Sequence, residues 1–266
     1  MRYPIRILVD ASNPGQFFAC CGLFELADRL WHGAEAWFDA DGFLLQPLDG
    51  SSADLADLIR RIGEVDIRVI PVAGDEEKTY SAPLVIGAPF SLHLNWWNED
   101  GPVRKLKVWA GTMDGPRITK AMKGQLSRPE FQTETILQQA CIVYEANSGK
   151  KVEPFYFDGR RGAGALPLDI GFGTDPLKME TVAHPAVEFL CLAGLQRCRP
   201  RPTEANRVFE YFTWRIPLQA TLAPAAVAGL IPEYLTDGYR FECAFRTGQK
   251  KHKAFTPATK LERSQK

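Results

Sequence analysis

The stretch NPGQFFACCGLFELADRLW, residues 13–31, carries two adjacent cysteines and a glycine in its most apolar part. Its start is set by residue type: Asn13 can cap a first turn, Pro14 stands where a helix needs no N–H, and Gln16 can reach back toward the cap. Phe17, Cys20, Phe24, Ala27 and Trp31 fall on one helical face and Ala19, Leu23, Leu26 and Leu30 on the next. Only Glu25, Asp28 and Arg29 are left for water, so the helix must be buried around most of its circumference. Gly22 lets a second element approach closely. Cys20 and Cys21 point about 100° apart, which suits small apolar packing residues rather than two ligands of one ion.

The sequence of 266 residues, 45% hydrophobic and 24% charged as a whole, is consistent with a large folded core. No run reaches the roughly 18 apolar residues of a membrane span, and Met1 and Arg2 lead into a strand-like segment rather than a signal core. The expected location is the cytoplasm, away from membranes. Six cysteines without close C-x-x-C pairs predict reduced, unliganded thiols. The formal charge is zero, yet it is unevenly spread. Residues 1–100 hold 7 basic and 16 acidic side chains, residues 101–245 hold 18 and 15, and residues 246–266 hold 7 and 1. That asymmetry suits a protein turning one side to a polyanion, or one with a solvated basic tail.

The pattern along the chain is α+β: mixed helices and mostly antiparallel strands in one domain over residues 1–246, with a lobe boundary near residue 100 as an alternative. A strand over residues 4–9 and the opening helix with its stop at Gly33 precede a hairpin about DADG, residues 39–42. Leu55, Leu58, Ile59 and Ile62 mark a helix, and strands follow over 67–72 and through Leu92, Leu94 and Trp96. Residues 105–109 read as a strand, 117–126 and 131–146 as helices, 185–196 as an apolar helix, and 208–218 and 239–246 as strands. FYFDGRRGAGALPLDIGFGTDP, residues 155–176, is too irregular for a long element and too aromatic for a linker, so it is expected to be an ordered functional loop. Residues 247–266 have few large apolar side chains and are expected to form a loose basic tail.

Signatures of catalysis are sparse. His184 and Glu188 form only half of a zincin pattern, and the glycine-rich runs lack the context of a nucleotide loop. No cofactor is implied. Asp158, Asp169 and Asp175 with His184 define an alternative, a metal-dependent nuclease or processing site, although loop aspartates commonly cap turns instead. The leading expectation is a non-catalytic surface that tracks a nucleic-acid backbone through Lys105 and Lys107, through Arg117, Lys120 and Lys123 at i, i+3 and i+6 of one helix, and through Arg160 and Arg161. Asn95 and Trp97 are the candidates for contact with bases, with burial of the Trp96–Trp97 pair as the competing reading. A third class is a scaffold that binds only proteins.

Four ordered blocks carry a resemblance: residues 13–31, LNWW at 94–97 joined by KLKVWAGTMDGPRI at 105–118, FYFDGRRGAGALPLDIGF at 155–172, and HPAVEFLCLAGLQRCRPRP at 184–202. Through them the chain resembles the CRISPR-associated large-subunit family, Csb-three or Cas-eight-type, of type I-G (formerly I-U) effector complexes. The resemblance implies a non-catalytic subunit of an RNA-guided surveillance complex in antiviral defence. It implies recognition of a short DNA motif and support of strand separation. Its partners would be the backbone and handle-binding effector subunits, guide RNA, target DNA and a recruited helicase-nuclease. Base pairing would read most of the sequence, leaving phosphate contacts to protein. Larger relatives end in a helical bundle, whereas residues 205–246 here read as strands.

Overall fold

The computed structural model describes residues 4–40, 42–72, 79–111, 113–161, 182–246 and 251–262. Helix α1, Pro14–Trp31, begins as its residues dictate: Asn13 Oδ1 accepts from the amides of Gly15 and Gln16, and Gln16 Oε1 accepts from the amide of Asp10 at 2.9 Å. Every residue from Pro14 to Ala27 is buried. The helix ends through His32, in the left-handed region at φ 58°, followed by Gly33.

The element that Gly22 admits is a second apolar helix, Pro185–Arg197, buried from Pro185 to Leu195. The approach is reciprocal. A Cβ on Gly22 would lie 1.9 Å from the Leu190 carbonyl oxygen, and one on Gly194 would lie 2.0 Å from that of Phe18. Two helices buried around most of their circumference thus meet backbone to backbone, and sheets cover the sides left over. Cys20, Cys21 and Cys191 pack into this core, and burial pushes each thiol well above its ordinary value.

Three antiparallel sheets surround the pair. In the first, Ile5–Leu8 (β1) pairs with β3, Gly42–Pro47, which pairs with β2, Ala34–Phe38, in the hairpin expected about residues 39–42. Leu218–Gln219 adds to its β2 edge. Phe17 stacks on Phe38 of this sheet with ring centroids 5.2 Å apart. A second sheet is built on two strands, Val208–Trp214 and Leu235–Phe245, whose inward Tyr211 and Phe241 pack on Phe18. Trp214 joins the two sheets by donating its indole N–H to the Ala36 carbonyl. The third sheet, Ile67–Val69, Leu84–Ile86 and Leu92–Leu94, is small and follows the helix Leu55–Glu64. One cluster of buried side chains runs from Ile5 to Phe255. Among the described residues no helix is long and apolar enough to cross a membrane.

Three local expectations are corrected. Residues 131–146 are not a helix: after a 3₁₀ turn at Pro129–Phe131 the chain turns repeatedly and then forms a hairpin. Thr133, Thr135, Ile136, Ile142 and Val143 are β-branched, the two threonine hydroxyls bond each other at 2.9 Å, and residues 147–149 close the turn with Gly149 at φ 62°. Residues 105–109 are likewise no strand, because Pro102 opens a 3₁₀ helix that runs to Leu106. The basic tail is also more ordered than its composition suggests. Lys253–Phe255 and Thr259–Lys260 pair with Leu235–Phe245, and Ala254 and Phe255 are fully buried against that strand's inner face and Phe157.

Candidate nucleic-acid interface

The segment after Pro102 buries Leu106, Val108 and Trp109, which turns Arg104 and Lys105 outward and leaves Lys107 half-buried. The former tail meets it there. The amide of Lys253 donates to the Val108 carbonyl at 3.0 Å, and Lys253 Nζ donates to the Lys105 carbonyl at 2.7 Å. The Arg246 amide donates to the His252 carbonyl, and the Arg246 guanidinium stacks over the Tyr156 ring, 3.6 Å from its centroid. Lys107 bonds Ser81 Oγ and stands over Trp109. Two segments some 140 residues apart in sequence thereby place cations side by side.

Among the described residues no carboxylate forms an ion pair with Arg104, Lys105, Arg246, Lys251 or Lys253, whereas such pairs, Arg199 with Glu99 and Arg240 with Glu210 among them, occupy charged residues elsewhere. Burial, followed by the charges of Arg246 and Lys251, lowers the pKa of His252. Burial also lowers that of Lys253, with Arg207 acting in the same direction. Arg246 Nε and His252 Nδ1 are buried and have no hydrogen-bond partner among the described residues. This is a concentrated positive potential with polar atoms left over.

The expected site residues do not all share this face. Lys105 and Lys107 do. Arg117 and Lys120 line a separate cleft against the hairpin, with Arg117 Nε 3.2 Å from Glu145 Oε1. Lys123 turns away to donate to the Val65 carbonyl at 2.8 Å, and burial lowers its pKa. The three residues therefore do not act as one row. Asn95 is tied to the end of the second apolar helix: its amide donates to Gln196 Oε1 and its side chain accepts from Gln196 Nε2. Trp97, expected beside bases, is 2% exposed and donates its indole N–H to Ser81, so it presents no ring for stacking. Arg160 is spent on Asp158, and the Arg161 side chain lies outside the described residues. Sequence reading missed Arg246, Lys251 and Lys253. The signal was Ala254 and Phe255, which have a reason to dock, within a strongly basic segment.

Asp158 sits where the two central helices begin. Its oxygens accept from Asn13 Nδ2 at 2.7 Å, from the Arg160 amide and from the Arg160 guanidinium, and Oδ2 lies 3.1 Å from His184 Nδ1. Glu188, fully buried in the first turn of its helix, accepts from the amides of Tyr156, Phe157 and Asp158. Tyr156 is held at φ 76°, a costly conformation for a bulky residue, by contacts on both sides. The Asp158 carboxylate is thus a structural clamp. Asp169 and Asp175, its partners in the metal alternative, lie outside the described residues. Among those described, no group of three metal-ligating side chains occurs.

Burial pushes the Asp158 pKa up, but the Arg160 hydrogen bonds and charge, with His184 and Asn13, outweigh it and hold the carboxyl below its ordinary 3.8. A carboxyl depressed on folding stabilises the fold above its unfolded pKa, and that contribution fades as pH falls through the lower folded value. Unfolding free energy measured by denaturant between pH 6 and pH 2 should therefore drop below about pH 4. Asp158→Asn should be less stable at pH 6 and show a shallower drop. Equal slopes would contradict the clamp.

Comparison with known proteins adds no relative: no family model, curated protein or solved structure matches the chain.

Proposed function

We propose that the chain is a non-catalytic nucleic-acid-binding subunit, and that its partner assembly is an RNA-guided effector complex of the CRISPR type I-G kind. The face formed by residues 104–107, Arg246 and residues 251–253 contacts the sugar–phosphate backbone of guide or target. The observation that carries this reading is the convergence at one place of Arg104, Lys105, Arg246, Lys251 and Lys253, none of which pairs with a carboxylate among the described residues, on a fold that elsewhere pairs its charges extensively. Phosphate is the counter-charge such a surface lacks, and binding it would release condensed counterions. The assembly is proposed on the resemblance of the four sequence blocks. Sequence would be read by the guide, so the protein needs affinity and register rather than a base code.

The test is charge reversal at three exposed positions, Arg104→Glu, Lys105→Glu and Lys251→Glu together. The thermal midpoint should hold, because none of these side chains is buried. Target-duplex affinity of the assembled complex should fall, and the slope of log K against log salt should lose roughly 2.7, three contacts at about 0.9 each. Unchanged affinity and slope would remove this face from the interface.

A further inference from the structure

The cleft beside the helix Gly115–Gln125 is separate from that basic face, and its lining has a different character. It holds about 530 Å³, within the range of pockets that enclose small ligands. Its walls combine Pro116 and Ala121 of the helix with Tyr144 and Asn147 of the hairpin. Gly124 leaves the floor open, since a Cβ there would meet nothing within 4 Å. Tyr144 is 48% exposed, and its ring has no aromatic neighbour among the described residues.

The charges in the cleft differ in availability. Asp114 Oδ1 caps the helix by accepting the Arg117 amide, where the helix end offsets its charge. Glu145 is paired with Arg117 and bonded to Ser148, and those contacts keep its pKa low. Lys120 is exposed and forms no ion pair among the described residues. What remains for a ligand is one flat ring, one cation at the rim and the Asn147 amide, beside an apolar floor. We infer that this cleft binds a single nucleotide unit, with the base stacked on Tyr144 and the phosphate on Lys120. The ring gives sequence-tolerant stacking and the ammonium a point contact with phosphate. Such a unit is available either as a free nucleoside monophosphate or as an unpaired nucleotide of a strand.

Titration of the full chain with uridine and adenosine 5′-monophosphates, with the parent nucleosides and with a labelled uridine pentanucleotide separates these sources. Binding is followed by ligand-detected NMR and by anisotropy. Saturable binding is expected, weakened roughly 5- to 150-fold by Tyr144→Ala and held within about twofold by Tyr144→Phe. Lys120→Ala should weaken the monophosphates and leave the nucleosides unchanged, a split that general loosening of the hairpin would not produce. Saturation by the pentanucleotide alone assigns the site to strands, and saturation by monophosphates to free nucleotides as well. Failure of every nucleotide to saturate, or Tyr144→Ala binding as tightly as the parent, overturns the inference. The Arg104, Lys105 and Lys251 reversal must leave monophosphate binding intact. That variant keeps the outcome distinct from failure of the backbone-binding reading, which is judged on duplex affinity alone.

Discussion

Gly22→Ala should cost about 3 kcal/mol or more and leave most of the protein insoluble or unfolded at moderate temperature. The added carbon would sit 1.9 Å from the Leu190 carbonyl oxygen and 2.9 Å from the Gly194 amide nitrogen. These are backbone atoms of a helix buried on all sides, so no rotamer change relieves the clash. Either the helices separate, losing close-packed contacts along their length, or one rotates and takes Glu25, which is buried beneath Arg29 and Arg197 rather than turned to water, or Glu188 out of register with its partners. Gly194→Ala should match it, because that carbon would lie 2.0 Å from the Phe18 carbonyl. The double substitution should cost less than the sum, since one separation relieves both. Gly124→Ala is the internal control. It lies in a helix with open space about it, so alanine should stabilise by about 0.5–1 kcal/mol. Urea unfolding of the four variants checks all these signs, and a Gly22→Ala midpoint equal to the parent would refute the close crossing.

Glu188→Ala should be the next most damaging change, by about 3 kcal/mol or more. Three amides, those of Tyr156, Phe157 and Asp158, lose their acceptor in a place water cannot reach, and each unmet buried donor costs about 1–3 kcal/mol. Glu188→Gln keeps one acceptor oxygen and should recover part of the loss. The effect should spread beyond the site, because the Tyr156 carbonyl accepts from the Phe255 amide and Arg246 rests on the Tyr156 ring. Hydrogen exchange should therefore quicken at residues 253–255 in Glu188→Ala. Unchanged protection there would show that the clamp and the basic face are independent.

Helices were legible where cap and period agreed. Asn13 with Pro14 marked one start, and the patterns over 117–126 and 185–196 placed two more helices. The glycine at residue 22 announced a close neighbour without naming it, since the partner lies across most of the chain. Residues 131–146 misled because their apolar residues permit helical spacing while threonines and β-branched residues favour turns and extended backbone. The candidate site was half legible. Lys105 and Lys107 were found by charge, but whether Arg160 or Lys123 is free depends on Asp158 and the Val65 carbonyl, partners fixed only by tertiary structure. Trp97 shows the same limit: a tryptophan beside asparagines suits a surface or a core equally, and the Ser81 carbonyl decides. The strands at 253–260 were hidden because two and three residues of pairing leave almost no periodicity to read.

The two central helices also set a timing problem for synthesis. Trp31 ends the first and Pro185 starts the second, so 153 residues separate an apolar rod from the surface that shields it. At 5–20 residues per second the ribosome takes roughly 8–30 s to deliver the second rod, long compared with hydrophobic collapse. During that interval the nascent chain carries exposed grease. Chaperone occupancy on the emerging amino-terminal segment, and aggregation when expression outpaces it, follow from where these two rods fall along the gene.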